Sequence, residues 1–138
     1  MPTQTAATPP RVLGLYDEPF WRHMKDDGRM HLQCCRDCGA WRYPPGPACH
    51  ACLSPASDWK PVSGGGELLS WVTFHKQYLP AYPAPYNVIA VRLDEGPTLI
   101  SNLIEDPEPD QRPIGRRVRL KVVAMADGVA LPRFEFAD

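Results

Sequence analysis

The chain has 138 residues, which is enough for one domain with a small appendage. Its net charge of −1 excludes a strongly basic protein that follows a phosphate backbone, and its 43% hydrophobic and 22% charged residues are typical of a globular chain. The 17 prolines disfavour long helices, so we expect mostly β structure.

Residues 1–15 are predicted to form a flexible tail, because the first ten residues are mainly Thr, Ala, Gln and Pro and offer little apolar surface to bury. The tail has no apolar core of signal-peptide length, and no later run reaches the length of a membrane span. We therefore expect no membrane contact and a cytoplasmic location, where thiols stay reduced.

Residues 16–29 predict a short amphipathic helix, with Asp17 at its N-cap and Gly28 at its end. Phe20 and Trp21 give this helix a strongly aromatic face. Two interpretations stay open: the rings pack on their own domain, or they contact CoA or a partner protein, where aromatic residues are enriched.

Residues 30–58 predict a rubredoxin-like zinc ribbon. Two C-x-x-C turns supply four thiolates for one tetrahedral, structural Zn²⁺ site, and the ligands are Cys35, Cys38, Cys49 and Cys52. Disulfides remain an alternative, as does iron bound by the same four sulfurs. Four thiolates leave no open coordination position, so we expect the metal to hold structure without taking part in catalysis.

The residues around the two turns are less regular. Gly39 follows the first pair and suits a backbone that turns towards the sulfurs, whereas Leu53 stands at the corresponding place after the second pair. Cys34 is expected to be a bystander, although a C-x-x-x-C pairing with Cys38 stays open.

Residues 59–138 predict a five-stranded OB-type barrel that begins at the break Ser63-Gly64-Gly65-Gly66. The strand-like runs are 67–75, 87–94, 98–104, 116–124 and 129–136. The acidic, proline-broken stretch 105–113 is predicted to be a loop.

A proline-stiffened loop between the first two barrel strands carries three tyrosines, Tyr78, Tyr82 and Tyr86. Such a loop can line a CoA or acyl passage or bind a partner, because loops on rigid barrels often carry binding groups. The alternative is a well-packed connection between strands.

A basic strand follows, in which Arg117, Arg119 and Lys121 point away from the apolar side chains between them. These cations can bind CoA phosphates or partner carboxylates, or they can form a solvated strand face. No catalytic residue is predicted, because neither His31 nor His75 has an acid or nucleophile at motif spacing.

The order of these parts resembles a known family. The motifs that carry the resemblance are the doubled C-x-x-C, the turn Leu93-Asp94-Glu95-Gly96-Pro97 and the ending Leu131-Pro132-Arg133-Phe134. The chain resembles the zinc-ribbon OB-fold family catalogued as domain of unknown function thirty-five, over residues 16–136. Members of that family are companions of thiolase-fold enzymes, such as steroid side-chain aldolases.

The resemblance implies a non-catalytic subunit that binds a thiolase-like protein in a hetero-oligomer and helps to hold an acyl-CoA. The reaction would be a C–C bond-forming, retro-aldol or thiolytic step in lipid or steroid metabolism, with the nucleophile in the partner. The alternative function is a nucleic-acid-binding zinc-ribbon and OB module, which the net charge of −1 disfavours.

Overall fold

One α-helix, eight strands and one short 3-10 helix (Pro109–Gln111) lie within residues 9–137, the part of the chain that this computed structural model describes. The α-helix and the strands are α1 (Glu18–Asp27), β1 (His31–Cys35), β2 (Trp41–Arg42), β3 (Ser57–Pro61), β4 (Gly65–Phe74), β5 (Tyr86–Leu93), β6 (Thr98–Ser101), β7 (Arg117–Ala124) and β8 (Ala130–Phe136). The predicted mostly β fold, with a short helix, a ribbon and five barrel strands, is confirmed.

Helix α1 ends as predicted at Gly28, which is left-handed at φ 66° and donates its N–H to the Met24 carbonyl. Asp17 occupies the N-cap position as predicted, although its side chain makes no capping hydrogen bond. Phe20 and Met24 form the buried face. Among the described residues, no helix combines the length and the apolar character that a bilayer span requires.

The ribbon is a three-stranded antiparallel sheet in the order β2-β1-β3. Strand β3 pairs with the whole of β1, from Ser57 opposite Cys35 to Pro61 opposite His31. This strand crosses the end of the ribbon predicted at residue 58. The sequence did not predict β3, because its residues are mostly polar and partly exposed, and an edge strand of this kind shows no clear alternation of apolar residues.

The second sheet has the antiparallel order β6-β5-β4-β7-β8 and curls into an OB-type partial barrel. Its two edges meet just after β6. There Leu103 forms a parallel bridge with Phe134, and the Ile104 N–H donates to the Phe134 carbonyl at 2.9 Å. The loop after β6 lies beside the start of β5, where Asn87 binds the main chain of Leu103.

A β-bulge interrupts the pairing of β4 with β5 between Leu68 and Ser70. Before the bulge, Leu68 is fully buried. After it the alternation is shifted by one residue, so that Trp71 packs against the core while Val72 and Phe74 face outwards. The bulge thus moves two large apolar side chains to the surface.

Helix, ribbon and barrel share one apolar core, since α1 packs against both β1 and β8. Its largest fully buried side chains come from all three parts and include Met24, Leu32, Leu68, Ile89, Leu93 and Phe134. The ribbon is therefore packed against the barrel over an apolar interface.

Candidate metal centre and contact surfaces

The two C-x-x-C turns face each other and bring the four predicted Sγ atoms within 4.8 Å of one another. Cys35 and Cys52 are 3.6 Å apart at sulfur, and Cys38 and Cys49 are 3.5 Å apart. A tetrahedron with Zn–S bonds of about 2.3 Å has S–S edges of about 3.8 Å, whereas a disulfide measures about 2.05 Å. The geometry thus fits structural zinc and excludes disulfides among these cysteines.

Both turns use the same backbone conformation, although only one has glycine. The Gly39 N–H donates to the Cys35 carbonyl at 3.0 Å, and the Leu53 N–H donates to the Cys49 carbonyl at 2.9 Å. The φ angles are 77° at Gly39 and 65° at Leu53. Leu53 is 78% exposed and gains little burial there, so it takes on backbone strain to complete the second turn.

The electrostatics of the cysteines suit a cation. The backbone N–H of Cys38, together with other donors, lowers the pKa of the Cys35 thiol to about 6. The N–H of Ala40 lowers the pKa of Cys38, but the neighbouring sulfurs outweigh it and raise that pKa to about 12. A thiolate in the cluster therefore opposes the ionisation of the next thiol, and a dication at the centre removes this repulsion.

Two buried polar side chains brace the segments around the metal centre. Gln33 donates to the Gly46 carbonyl at 3.1 Å and accepts from the Gly46 N–H at 2.9 Å. Arg42 donates to the carbonyls of Gly46 and Ser54. Sequence reasoning missed both braces, because nothing local reveals the distant carbonyls that they bind. Cys34 lies outside the cluster, with its Sγ 3.6 Å from the Gly39 carbonyl oxygen.

The aromatic residues of α1 have different surroundings. Phe20 is only 3% exposed and its ring lies 5.1 Å from that of Trp21 and 5.8 Å from that of Tyr43. Its side chain therefore belongs to this chain's own core. Trp21 is partly buried under the Arg11 guanidinium, 4.1 Å from the ring centroid. Arg11 belongs to the predicted tail, of which residues 1–8 lie outside the described residues.

Tyr82 and Tyr86 line an open groove of about 1100 Å³ between the tyrosine loop, β5 and the segment after β6. Its walls are largely apolar and include Ile100, while Arg133, a residue only 7% exposed, contributes a cationic side chain. Burial lowers the pKa of Arg133. Asp106 stands at the acidic side. A groove of this size and lining can hold an organic ligand.

An apolar outer face covers strands β4, β5 and β6 next to this groove. Phe74 lies opposite Tyr86 in the sheet, and their rings are 5.2 Å apart. Val72 is 49% exposed and Ile100 is 67% exposed. Tyr78 does not line the groove but extends this face, with its ring 6.1 Å from that of Phe74. The face missed by sequence reasoning thus adjoins the predicted tyrosine loop.

The basic residues of β7 are exposed and form ion pairs within the chain. Arg117 binds both carboxylate oxygens of Asp94 at 2.7 Å, and this lowers the pKa of Asp94. Arg119 binds Glu135 at 2.8 Å, while Lys121 lies 4.0 Å from the same carboxylate. None of the three basic residues lines the groove. Their arrangement supports the interpretation as a solvated strand face.

Known families account for most of the chain. Residues 22–58 match the family described as "ChsH2, rubredoxin-like zinc ribbon domain", and residues 59–123 match "ChsH2, C-terminal OB-fold domain". The chain belongs to this ChsH2-like, DUF35 family. In the solved structure "Ltp2-ChsH2(DUF35) aldolase", a chain 30% identical in sequence superposes with a TM-score of 0.83, covering 94% of this chain and 100% of that one. The family assignment and the structural zinc are thereby confirmed.

Two curated relatives extend the comparison. A "Probable enoyl-CoA hydratase alpha subunit" of Thermomonospora curvata is 35% identical over 118 residues, or 86% of this chain and 37% of the relative's own length. The "DUF35 domain-containing scaffold protein" of Pyrococcus furiosus is 29% identical over 104 residues, 73% of this chain and 74% of that protein. These relatives are named as an enzyme subunit and as a scaffold protein.

Proposed function

We propose that this chain is a non-catalytic accessory subunit that binds a thiolase-like enzyme and helps to hold its acyl-CoA substrate. The reaction would be a C–C bond-forming, retro-aldol or thiolytic step on the CoA thioester. The relatives named as an aldolase component, a subunit and a scaffold support this role. The observation that carries it is the apolar outer face beside the groove.

The outer face has the character of the centre of a protein interface. Val72 and Phe74 of β4 and Ile100 of β6 expose large apolar side chains on the same face of the sheet, on either side of β5, and tyrosines border them. Contiguous exposed apolar surface of this kind marks interaction sites, and aromatic residues are enriched there. A partner that covers this face would also close the open side of the groove.

The groove suits the acyl part of a CoA thioester better than its phosphates. Tyr82, Tyr86 and Ile100 supply apolar contact, and Arg133 supplies a buried donor for a carbonyl or carboxylate oxygen. The Glu105 carboxylate at the edge repels phosphates, whereas the neighbouring Asp106 is paired with Arg112 at 2.8 Å. We therefore place the acyl group in the groove and the nucleotide against the partner. Four cysteine ligands leave the zinc no position for substrate.

Partner binding can be tested with two matched charge insertions. Ile100→Glu lies on the outer face, whereas Ile114→Glu lies on the loop before β7 at a similar exposure, 63% against 67%. Purified from its source cells, the tagged chain and the Ile114→Glu variant should co-elute with a thiolase-fold protein in a fixed ratio, and Ile100→Glu should elute without it. A wild-type chain that elutes without any thiolase-fold protein refutes the proposal.

The non-catalytic role has its own test. The isolated zinc-loaded chain should not turn over acyl-CoA thioesters, whereas the co-purified complex should. In the complex, Tyr82→Ser should raise KM for the acyl-CoA more than it lowers kcat, because the residue would contact the substrate away from the reacting atoms. Turnover by the isolated chain would overturn the assignment.

The nucleic-acid alternative lacks comparable support. The exposed arginines of β7 already pair with Asp94 and Glu135, and the groove has an acidic edge. A phosphate-tracking groove needs unpaired cations and stacking rings along one path. A titration with single-stranded oligonucleotides at low salt checks this, and micromolar binding would restore the alternative.

A further inference from the structure

The end of α1 and the start of β1 bring together two imidazoles and one carboxylate that no function above uses: His23, Asp27 and His31. His23 Nδ1 lies 3.2 Å from Asp27 Oδ2, and His31 Nε2 lies 4.0 Å from the same oxygen. Residues 23 and 27 share a helix face, and the left-handed turn at Gly28 leads the chain back so that His31 faces them. We name these three side chains the His–Asp–His cluster.

Hydrogen bonding leaves two acceptors facing each other inside this cluster. His31 Nδ1 lies 3.3 Å from the Arg29 carbonyl, which can only accept, so Nδ1 carries the hydrogen and Nε2 presents its lone pair. That lone pair points into the cluster with Asp27 Oδ2, another acceptor. Burial lowers the pKa of His31 and so favours the neutral ring. A cation between the two acceptors satisfies both.

The two imidazole rings lie face to face beside Asp27, with their ligand atoms within 4.8 Å of one another. The imidazoles of His23 and His31 stack with their centroids 3.9 Å apart and their planes within 18°. Because an imidazole nitrogen binds a metal along its lone pair in the ring plane, one ring must turn out of the stack before both can bind the same ion. A histidine that binds a metal through one ring nitrogen commonly donates the hydrogen of its other ring nitrogen to a carbonyl. In His31 the Arg29 carbonyl accepts in this way from Nδ1. The Asp27 side chain is 49% exposed, so ions can reach the cluster from solvent.

We propose that the His–Asp–His cluster is a second metal site, which binds a divalent transition-metal ion such as Zn²⁺ or Ni²⁺ through two imidazole nitrogens and one carboxylate oxygen. Ligand atoms bound at about 2.0–2.2 Å lie roughly 3–3.5 Å apart, so the present separations need shifts of about 1 Å. Three protein ligands leave room for water. His23 would carry its hydrogen on the nitrogen that does not ligate. The ion would tie the end of α1 to β1.

The test uses the untagged full chain with zinc already bound by the cysteines. Equilibrium dialysis against Ni²⁺ should show a second metal ion per chain. Among the four histidine rings, NMR spectra should show paramagnetic broadening at His23 and His31, while His50 and His75 serve as internal controls. Broadening at His50, the residue between two of the cysteines, would show instead that Ni²⁺ displaces zinc and would overturn the assignment.

Matched variants separate the cluster from general surface binding. Asp27→Asn and His23→Gln should each weaken Ni²⁺ binding by at least about 10-fold, since even a supporting change costs that much. Asp26→Asn, which alters the neighbouring exposed carboxylate, should leave the affinity unchanged. One metal ion per wild-type chain, or equal affinity in Asp27→Asn and Asp26→Asn, would show an ordinary hydrogen-bonded cluster and overturn the proposal.

Discussion

The buried amide of Asn87 offers a direct test of how the edge of the groove is held. The Leu103 N–H donates to Asn87 Oδ1 at 2.6 Å, and Asn87 Nδ2 donates to the Leu103 carbonyl at 3.2 Å. Asn87 is 5% exposed and Leu103 is 3% exposed, so water cannot readily replace these bonds. Asn87→Ala therefore leaves two buried main-chain groups unpaired, each at about 1–3 kcal/mol, and should cost about 2–4 kcal/mol in total.

Urea unfolding of the zinc-loaded protein measures this loss, and Tm should fall by about 6–15 °C at this chain length. Thr98→Ala, at an exposed position of β6, is the control and should change the unfolding free energy by less than about 0.5 kcal/mol. Asn87→Asp keeps the oxygen that accepts from the Leu103 N–H. In the wild type Asn87 Nδ2 lies 3.2 Å from Asp106 Oδ1, so the new carboxylate would face another carboxylate. The loss of unfolding free energy in Asn87→Asp should therefore be smaller in acid, where a carboxyl group is protonated. A loss below about 1 kcal/mol in Asn87→Ala would refute the reasoning.

Three further predictions concern the metal centre and the surface. Removal of zinc by a chelator should disorder the ribbon sheet, because metal binding supplies about 10–16 kcal/mol to modules of this kind. The amide hydrogens of β1 should then exchange at solvent-like rates. Amides that stay protected would contradict this prediction. Leu53→Gly should stabilise the zinc-loaded chain by about 0.5–1 kcal/mol, since about 1–2 kcal/mol of left-handed strain exceeds the added chain entropy, while Gly39→Ala should destabilise it. Asp94→Asn should lower the unfolding free energy at neutral pH. Because Arg117 lowers the pKa of Asp94 in the folded state, the stabilisation by this ion pair is present above the unfolded pKa of Asp94 and disappears as pH falls through its folded pKa. If Asp94→Asn lowers the unfolding free energy as much at about pH 3 as at neutral pH, the ion pair does not cause the loss.

The metal centre was predictable because its geometry is local. Two residues between cysteines place both sulfurs on one turn whatever the rest of the chain does, so spacing alone identified Cys35, Cys38, Cys49 and Cys52. The barrel strands were predictable for a similar reason. In β5, Ile89, Val91 and Leu93 alternate towards the core, and each is at most 1% exposed.

The contact surfaces were not predictable, because they depend on irregular pairing and on partners distant in sequence. Strict alternation from Leu68 would place Val72 and Phe74 inside the barrel, and only the bulge turns them out. Asn87 binds a main chain that lies 16 residues away. The sequence placed Arg133 in a strand motif, but nothing local indicated that the closed sheet would bury this residue beside the groove.

The shared core connects the metal centre to the proposed partner surface. We expect zinc to order β1, and Leu32 of β1 is fully buried in the same apolar core as Leu68 of β4, whose other end carries the outer face. Loss of zinc should therefore weaken partner binding without removing any interface contact. Two variants separate these causes. Cys38→Ser should lose both metal and partner, whereas Ile100→Glu should lose the partner and keep its zinc, because its side chain is exposed and contributes nothing to the core.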